Sequence, residues 1–160
     1  MSTVNLSPGI HNVRIYAPNK EDDNFEISLN KKQNNKIHVE FYLTGLSKLK
    51  DPIDDNLNPF YLYVLLSFHN GGKDINFISS ADIYCDEKIL KQNNALFTTI
   101  VDVPGDLVYD EEDFLWNYYC LDIVYSPTSA EDGSDLYNLL RSEKLFSSKL
   151  NVIKEVDGNE

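Results

Sequence analysis

Cys85 and Cys120 are the only two thiols of the chain, and a nucleophilic cysteine needs surroundings that favour its thiolate. Each instead stands near an acid, Asp86 for Cys85 and Asp122 for Cys120. A neighbouring carboxylate opposes thiolate formation, so the sequence predicts two unreactive, buried thiols. A bridge between them is not expected in a reducing compartment, and their spacing lacks the C-x-x-C pairs of a zinc site. His11, His38 and His69 each fall on the polar face or at the end of a candidate strand, with no metal-ligand spacing. The chain has no G-x-S-x-G elbow and no glycine-rich phosphate loop. The expectation is a protein that is not an enzyme, with no catalytic residue, no cofactor and no zinc.

Acidic residues are more abundant. Asp51, Asp54 and Asp55 cluster with Asn56 and Asn58, and Asp110, Glu111, Glu112 and Asp113 form a second group. Calcium takes about six to eight oxygen ligands, so loops of this kind make calcium-dependent binding one alternative. The first cluster lacks the glycine and distal glutamate of a helix-loop-helix calcium loop. The formal net charge is −12, and it is unevenly spread. Residues 1–50 carry a balance of +2 and residues 51–160 one of −14. From Asp102 to Asp135 there are ten acidic side chains and no basic one. Such a field repels nucleic acid and anionic membranes and draws basic partners.

Arginine is scarce, only Arg14 and Arg141, which removes the usual bidentate reader of phosphates and guanine edges. The basic cluster Lys31, Lys32 and Lys36 has no interleaved aromatics and reads as a solvated hairpin tip. Lysine and asparagine are abundant, as an A/T-rich gene of a low-GC bacterium, its phage or another mobile element would encode. The chain also has 10 tyrosines, a residue enriched in interfaces. Tyr42, Tyr61 and Tyr63 fall on the outward side of the strongest strand patterns. With Asp106, Asp110, Glu111, Glu112 and Asp113 they are the predicted protein-binding residues, for a basic protein partner.

The elements that position these residues read mostly with a period of two. KIHVEFYLT turns Ile37, Val39, Phe41 and Leu43 one way, and Lys36, His38, Glu40, Tyr42 and Thr44 the other. PFYLYVLLSFH points Phe60, Leu62, Val64, Leu66 and Phe68 inward, and Tyr61, Tyr63, Ser67 and His69 outward. Asn70-Gly71 then signals a type I′ hairpin into a strand over 75–85. Further strands are predicted over 11–17, 25–29, 96–103, 114–125 and 149–156. The 114–125 strand is apolar on both faces and is expected at the centre of a sheet. The last strand is expected at an edge, its Lys149 and Lys154 discouraging further pairing. In SDLYNLLRSEKLF a short helix is predicted near 135–143, capped by Ser134 or Asp135, with Leu136, Leu139 and Leu140 on one face.

The segment WNYYCLDIVY, residues 116–125, looks like an antibody-domain strand, with a tyrosine two places before a cysteine. In such domains the tryptophan lies on a strand between the two cysteines. Here Trp116 shares the stretch with Cys120, so the likeness stays local.

A chain of 160 residues makes one domain of ordinary size, predicted over 1–156, with a disordered tail at 157–160. The fold class expected is all-β: a two-layer antiparallel β-sandwich, immunoglobulin-like in the broad sense, with a β-barrel as the alternative. No apolar run is long enough for a transmembrane helix and the N-terminus lacks a signal-peptide pattern, so a cytoplasmic location is expected. The predicted function is a non-catalytic, protein-binding module. It would be an inhibitor or an immunity or anti-defence protein that blocks a basic, nucleic-acid-handling partner. A structural or assembly accessory protein of phage or mobile-element type is the other alternative.

Overall fold

A computed structural model gives the fold and describes residues 9–18, 25–45, 59–71, 74–90, 92, 94–108, 117–142 and 144–154. Eight strands dominate: β1 Gly9–Tyr16, β2 Glu26–Leu29, β3 Asn35–Thr44, β4 Phe60–Asn70, β5 Asp74–Cys85, β6 Asn94–Val103, β7 Tyr118–Ser126 and β8 Phe146–Lys154. Among the described residues two short helices join them, α1 Glu87–Leu90 and α2 Gly133–Leu140, with a 3-10 turn at Gly105–Leu107. The predicted tail at 157–160 lies outside the described residues.

The strands hydrogen-bond in the order β5-β4-β7-β8-β2-β1-β3-β6. The two ends come back together: β5 and β6 lie side by side, and the Ser79 hydroxyl donates to the Asp102 carbonyl across the gap. The sheet is therefore nearly closed on itself. Alternating positions supply that interior. Ile37, Val39, Phe41 and Leu43 of β3, Leu62, Val64 and Leu66 of β4, and Leu121 and Ile123 of β7 are all buried in one cluster. Each such side chain contributes roughly 1.5–3 kcal/mol by leaving water.

The pairing departs from the expectation in three ways. The sheet is mixed, not purely antiparallel, because β2 runs parallel to both β1 and β8. The last strand is not an edge. β8 pairs antiparallel with β7 through residues 146–150, then parallel with β2 through residues 151–154. It joins a β5-β4-β7 arm to a β2-β1-β3-β6 arm, and the free ends of the order are β5 and β6. In the hairpin, Asn70 pairs with Asp74 and Gly71 has φ 62°. Three residues thus separate the last pair, where a type I′ turn has two.

Phe25 fixes the junction of the arms. Its N–H donates to the Ile15 carbonyl and its own carbonyl accepts the Asn151 N–H. Those two bonds hold it at φ 66°, a conformation that costs a bulky residue energy, while its ring stacks on Phe146. Helix α2 forms where the leucine spacing predicts, but its cap is Asp132. The Asp132 carboxylate accepts the Asp135 N–H at 3.0 Å, satisfying one orphan donor of the first turn, and the Asp135 carboxylate accepts the Glu131 N–H at 2.9 Å just before the cap.

Candidate functional site

The two arms each have an outer face, turned away from the main core. On the β5-β4-β7 arm the cross-strand register sets Tyr61 beside Tyr84, Tyr63 between Asp82 and Val124, and Leu65 between Ser80 and Asp122. Helix α2 lies over this face. Leu140, with Leu136 and Leu139 beside it, packs on Tyr63, Leu65 and Val124 in a second cluster. The Tyr63 hydroxyl accepts the Ala130 N–H at 2.6 Å, tying down the segment that enters the helix.

Tyr63 is thus 4% exposed. The expectation that it is an outward contact residue is corrected: it points away from the main core, but α2 covers it. Tyr61 is half-buried, its ring stacked on Tyr63 with centroids 6.1 Å apart and tilted against Tyr84 at 5.1 Å. Tyr84, 52% exposed, ends this ladder.

Exposed acidic side chains stand on the same arm. Asp82 is exposed directly opposite Tyr63, and Glu131, Asp132 and Asp135 are exposed at the start of α2, next to the Ala130 amide that Tyr63 holds. At the other end of α2 the Arg141 guanidinium sits over the Tyr137 ring at 5.1 Å. A concavity of about 430 Å³ opens there against Asp74, Ile75 and Asn76.

On the β1-β3-β6 arm the outer face carries no helix among the described residues. Its ladder pairs are Lys36 with Asp102, His38 with Ile100, Glu40 with Thr98, and Tyr42 with Leu96. Tyr42, Leu96 and Ile100 keep 36%, 56% and 42% of their surface exposed. Charges here come in matched pairs: Arg14 to Glu40 at 3.2 Å and Lys36 to Asp102 at 3.2 Å. Tyr16 donates its hydroxyl proton to Glu40 at 2.8 Å and stacks on His38 at 5.2 Å. A shallow concavity of about 480 Å³ lies beside Tyr16, His38, Glu40, Thr98 and Ile100.

The predicted binding residues therefore do not form one patch. Tyr61 and Tyr63 belong to one arm and Tyr42 to the other. Asp106 is exposed in the 3-10 turn whose Gly105 lies against the Lys31 and Gln33 carbonyls, beside the basic hairpin tip. Asp110, Glu111, Glu112 and Asp113 lie outside the described residues, as do Asp51, Asp54 and Asp55. Sequence reasoning missed Tyr84 as the neighbour of Tyr61, and Asp82 and the segment entering α2 as neighbours of Tyr63. Only the β4–β5 register and the fold-back of α2 bring them together.

The remaining chemical groups cluster on β4, β7 and the start of β8. Asp122 is fully buried, and Lys144 Nζ lies 3.3 Å from its Oδ2. That oxygen receives no hydrogen bond in good geometry, so the contact is one of charge. Cys120 Sγ is 3.5 Å from Asp122 Oδ1 and 3.4 Å from Ser147 Oγ. Burial is the largest cause of the raised Cys120 pKa; the Ser147 contact opposes the rise and Asp122 adds to it.

Cys85 is pushed up to about 12, by burial first and Asp86 second. Both thiols are free and buried. A group held protonated in this way is the reverse of a thiolate nucleophile. His69 Nε2 meets Ser67 Oγ at 3.3 Å, and no hydrogen bond joins it to Cys120 among the described residues. No set of three His, Cys, Asp or Glu side chains is placed to hold a metal among the described residues, and no described helix is long and apolar enough to cross a membrane. A comparison of the chain with protein-family models and with curated proteins finds no match.

Proposed function

We propose that the chain is a non-catalytic protein-binding module that engages a basic protein partner. The contact surface is the Tyr61–Tyr84 ladder and the carboxylates around it. The observation that carries this reading is the Tyr61–Tyr84 ring contact, with Tyr84 exposed, on the arm where Asp82 is exposed opposite Tyr63 and where Glu131, Asp132 and Asp135 are exposed at the start of the covering helix. Tyrosine offers broad contact area at low entropic cost, and the acids attract a positive surface over distance. An inhibitor or immunity or anti-defence protein that occupies the positive groove of a nucleic-acid-handling enzyme fits this chemistry. The same reading takes the sheet as the two layers of a sandwich that share β8, and places the protein in the cytoplasm.

The test is affinity capture from the organism that encodes the chain, with wild type, Y84A/D82K and L96A as baits. A partner retained by wild type and L96A, lost with Y84A/D82K and released by added salt supports the reading. A partner held equally by Y84A/D82K contradicts it.

A further inference from the structure

The geometry points to a second use of the molecule: the bare outer face of β3 and β6 joins two copies of this chain into a symmetric dimer. This goes beyond the binding of a basic partner, which uses the other arm, and does not depend on it. A chain of net charge −12 repels its own kind, so self-association requires a face that is locally neutral. The β3–β6 face is one. Its described charges pair off as Lys36 with Asp102 and Arg14 with Glu40. Between and beyond these pairs stand Leu96, Ile100 and Tyr42, the most exposed apolar residues of the arm.

The ladder also makes this face self-complementary. Consider a two-fold axis running between β3 and β6, parallel to both. It places each β3 residue of one copy over its own cross-strand partner in the other copy. The register then sets Lys36 over Asp102, Tyr42 over Leu96 and His38 over Ile100, each twice. Opposite charges meet at one end of the interface and apolar groups meet at the other. Ile100 of each copy faces the shallow concavity beside His38 of its mate. Sheets stacked this way sit about 10 Å apart with strands within about 30°, ordinary values for face-to-face packing. The contact is isologous and closes at two subunits.

Sedimentation equilibrium on the full chain tests this with substitutions that discriminate the geometry. K36D carries only carboxylates at positions 36 and 102, and D102K carries only ammonium groups there. The expected result is that wild type dimerises, reaching twice 18.3 kDa. Each single variant alone is weakened about tenfold or more, and an equimolar mixture of the two associates again. The ladder pair within one chain is lost in both variants and mixing does not restore it, so recovery on mixing arises only across the two-fold axis.

L96D, at an exposed site where folding is not at risk, should weaken the wild-type dimer about tenfold or more. K36D and D102K lie on the arm opposite the Tyr61–Tyr84 ladder and should leave the basic-partner complex in place, so failure of one reading is distinguishable from failure of the other. A chain that stays monomeric at about 500 μM, near the weak end of specific association, overturns the dimer, and so does a mixture that recovers nothing.

Discussion

On the β5-β4-β7 arm, the outward residues Tyr63, Leu65 and Val124 lie beneath α2 with 4% or less of their surface exposed. On the β2-β1-β3-β6 arm, Tyr42, Leu96 and Ile100 occupy comparable outward positions and keep 36% or more. Both faces are β-branched, aromatic and aliphatic, as strand propensity favours. What differs is the covering. The first arm has become a core on both sides, with Tyr84, Asp82 and the acids at the start of α2 left exposed. The second has remained a flat surface with neutralised charge. A face closed by the chain itself presents only its margin to other molecules, whereas a face left open presents its centre.

The largest expected contrast is in stability. Leu65→Ala or Leu140→Ala removes a buried side chain and leaves a cavity, at a cost of about 2–4 kcal/mol. Leu96→Ala, half exposed, should cost less than about 0.5 kcal/mol. Urea unfolding of the three variants measures this, and equal costs would erase the distinction between the faces.

Next in size is Lys144→Ala. It strips the charge paired with the fully buried Asp122. An uncompensated buried carboxylate is costly; since Lys144 is partly exposed, about 1–3 kcal/mol is expected. Asp122→Asn in the same background should recover much of that loss, because the stranded charge is gone.

Tyr63→Phe should cost about 1 kcal/mol, the value of its bond to the Ala130 amide. Hydrogen exchange should quicken over residues 130–140 and stay unchanged in β3 and β6. Acceleration spread evenly over both arms would show that the hydroxyl does not hold the helix in particular.

The smallest effect is one of pH. Burial, the largest cause, lowers the His69 pKa below 6.5; Asp122 opposes the shift, and Lys144 and Lys149 add to it. The unfolded chain then takes up a proton that the folded chain resists. Stability is therefore undiminished above about 6.5 and declines as pH falls from there towards the folded value. His69→Gln should flatten that part of the profile in denaturant titrations, and an unaltered slope would remove His69 as its source.

Much of this architecture was legible in the sequence. Alternation, β-branched content and apolar runs located the eight strands within a few residues, and the Leu136, Leu139 and Leu140 spacing located α2 and its buried side. The acids beside the cysteines gave the direction of both thiol shifts, although burial proves the larger cause. What failed was long-range. Period two says which residues share a face, but not what lies on that face. Tyr63 looked exposed because its cover arrives from a helix more than 65 residues later.

A signal was present even so. Leu65, on the same outward side, is apolar, and β4 reads as a nearly unbroken apolar run, the mark of a strand buried on both faces. The place of β8 in the middle of the order left no comparable trace, because lysines at a strand end mark an edge only when the neighbour is absent. Lys149 instead lies over the Tyr118 ring at 4.1 Å. The candidate surface was legible in kind, tyrosine with carboxylate, and not in place. Register alone decides that Tyr61 meets Tyr84 and that Tyr42 belongs to the opposite arm.

The most direct measurement is the association rate of the chain with its captured partner, in low and then high salt, for wild type and for D82K/D135K. Steering by the carboxylates around the Tyr61–Tyr84 ladder predicts a wild-type on-rate that falls about tenfold or more between about 50 and 500 mM salt. It also predicts a variant that starts slower and responds less. An on-rate indifferent to salt, or a variant that matches wild type at low salt, would contradict the account.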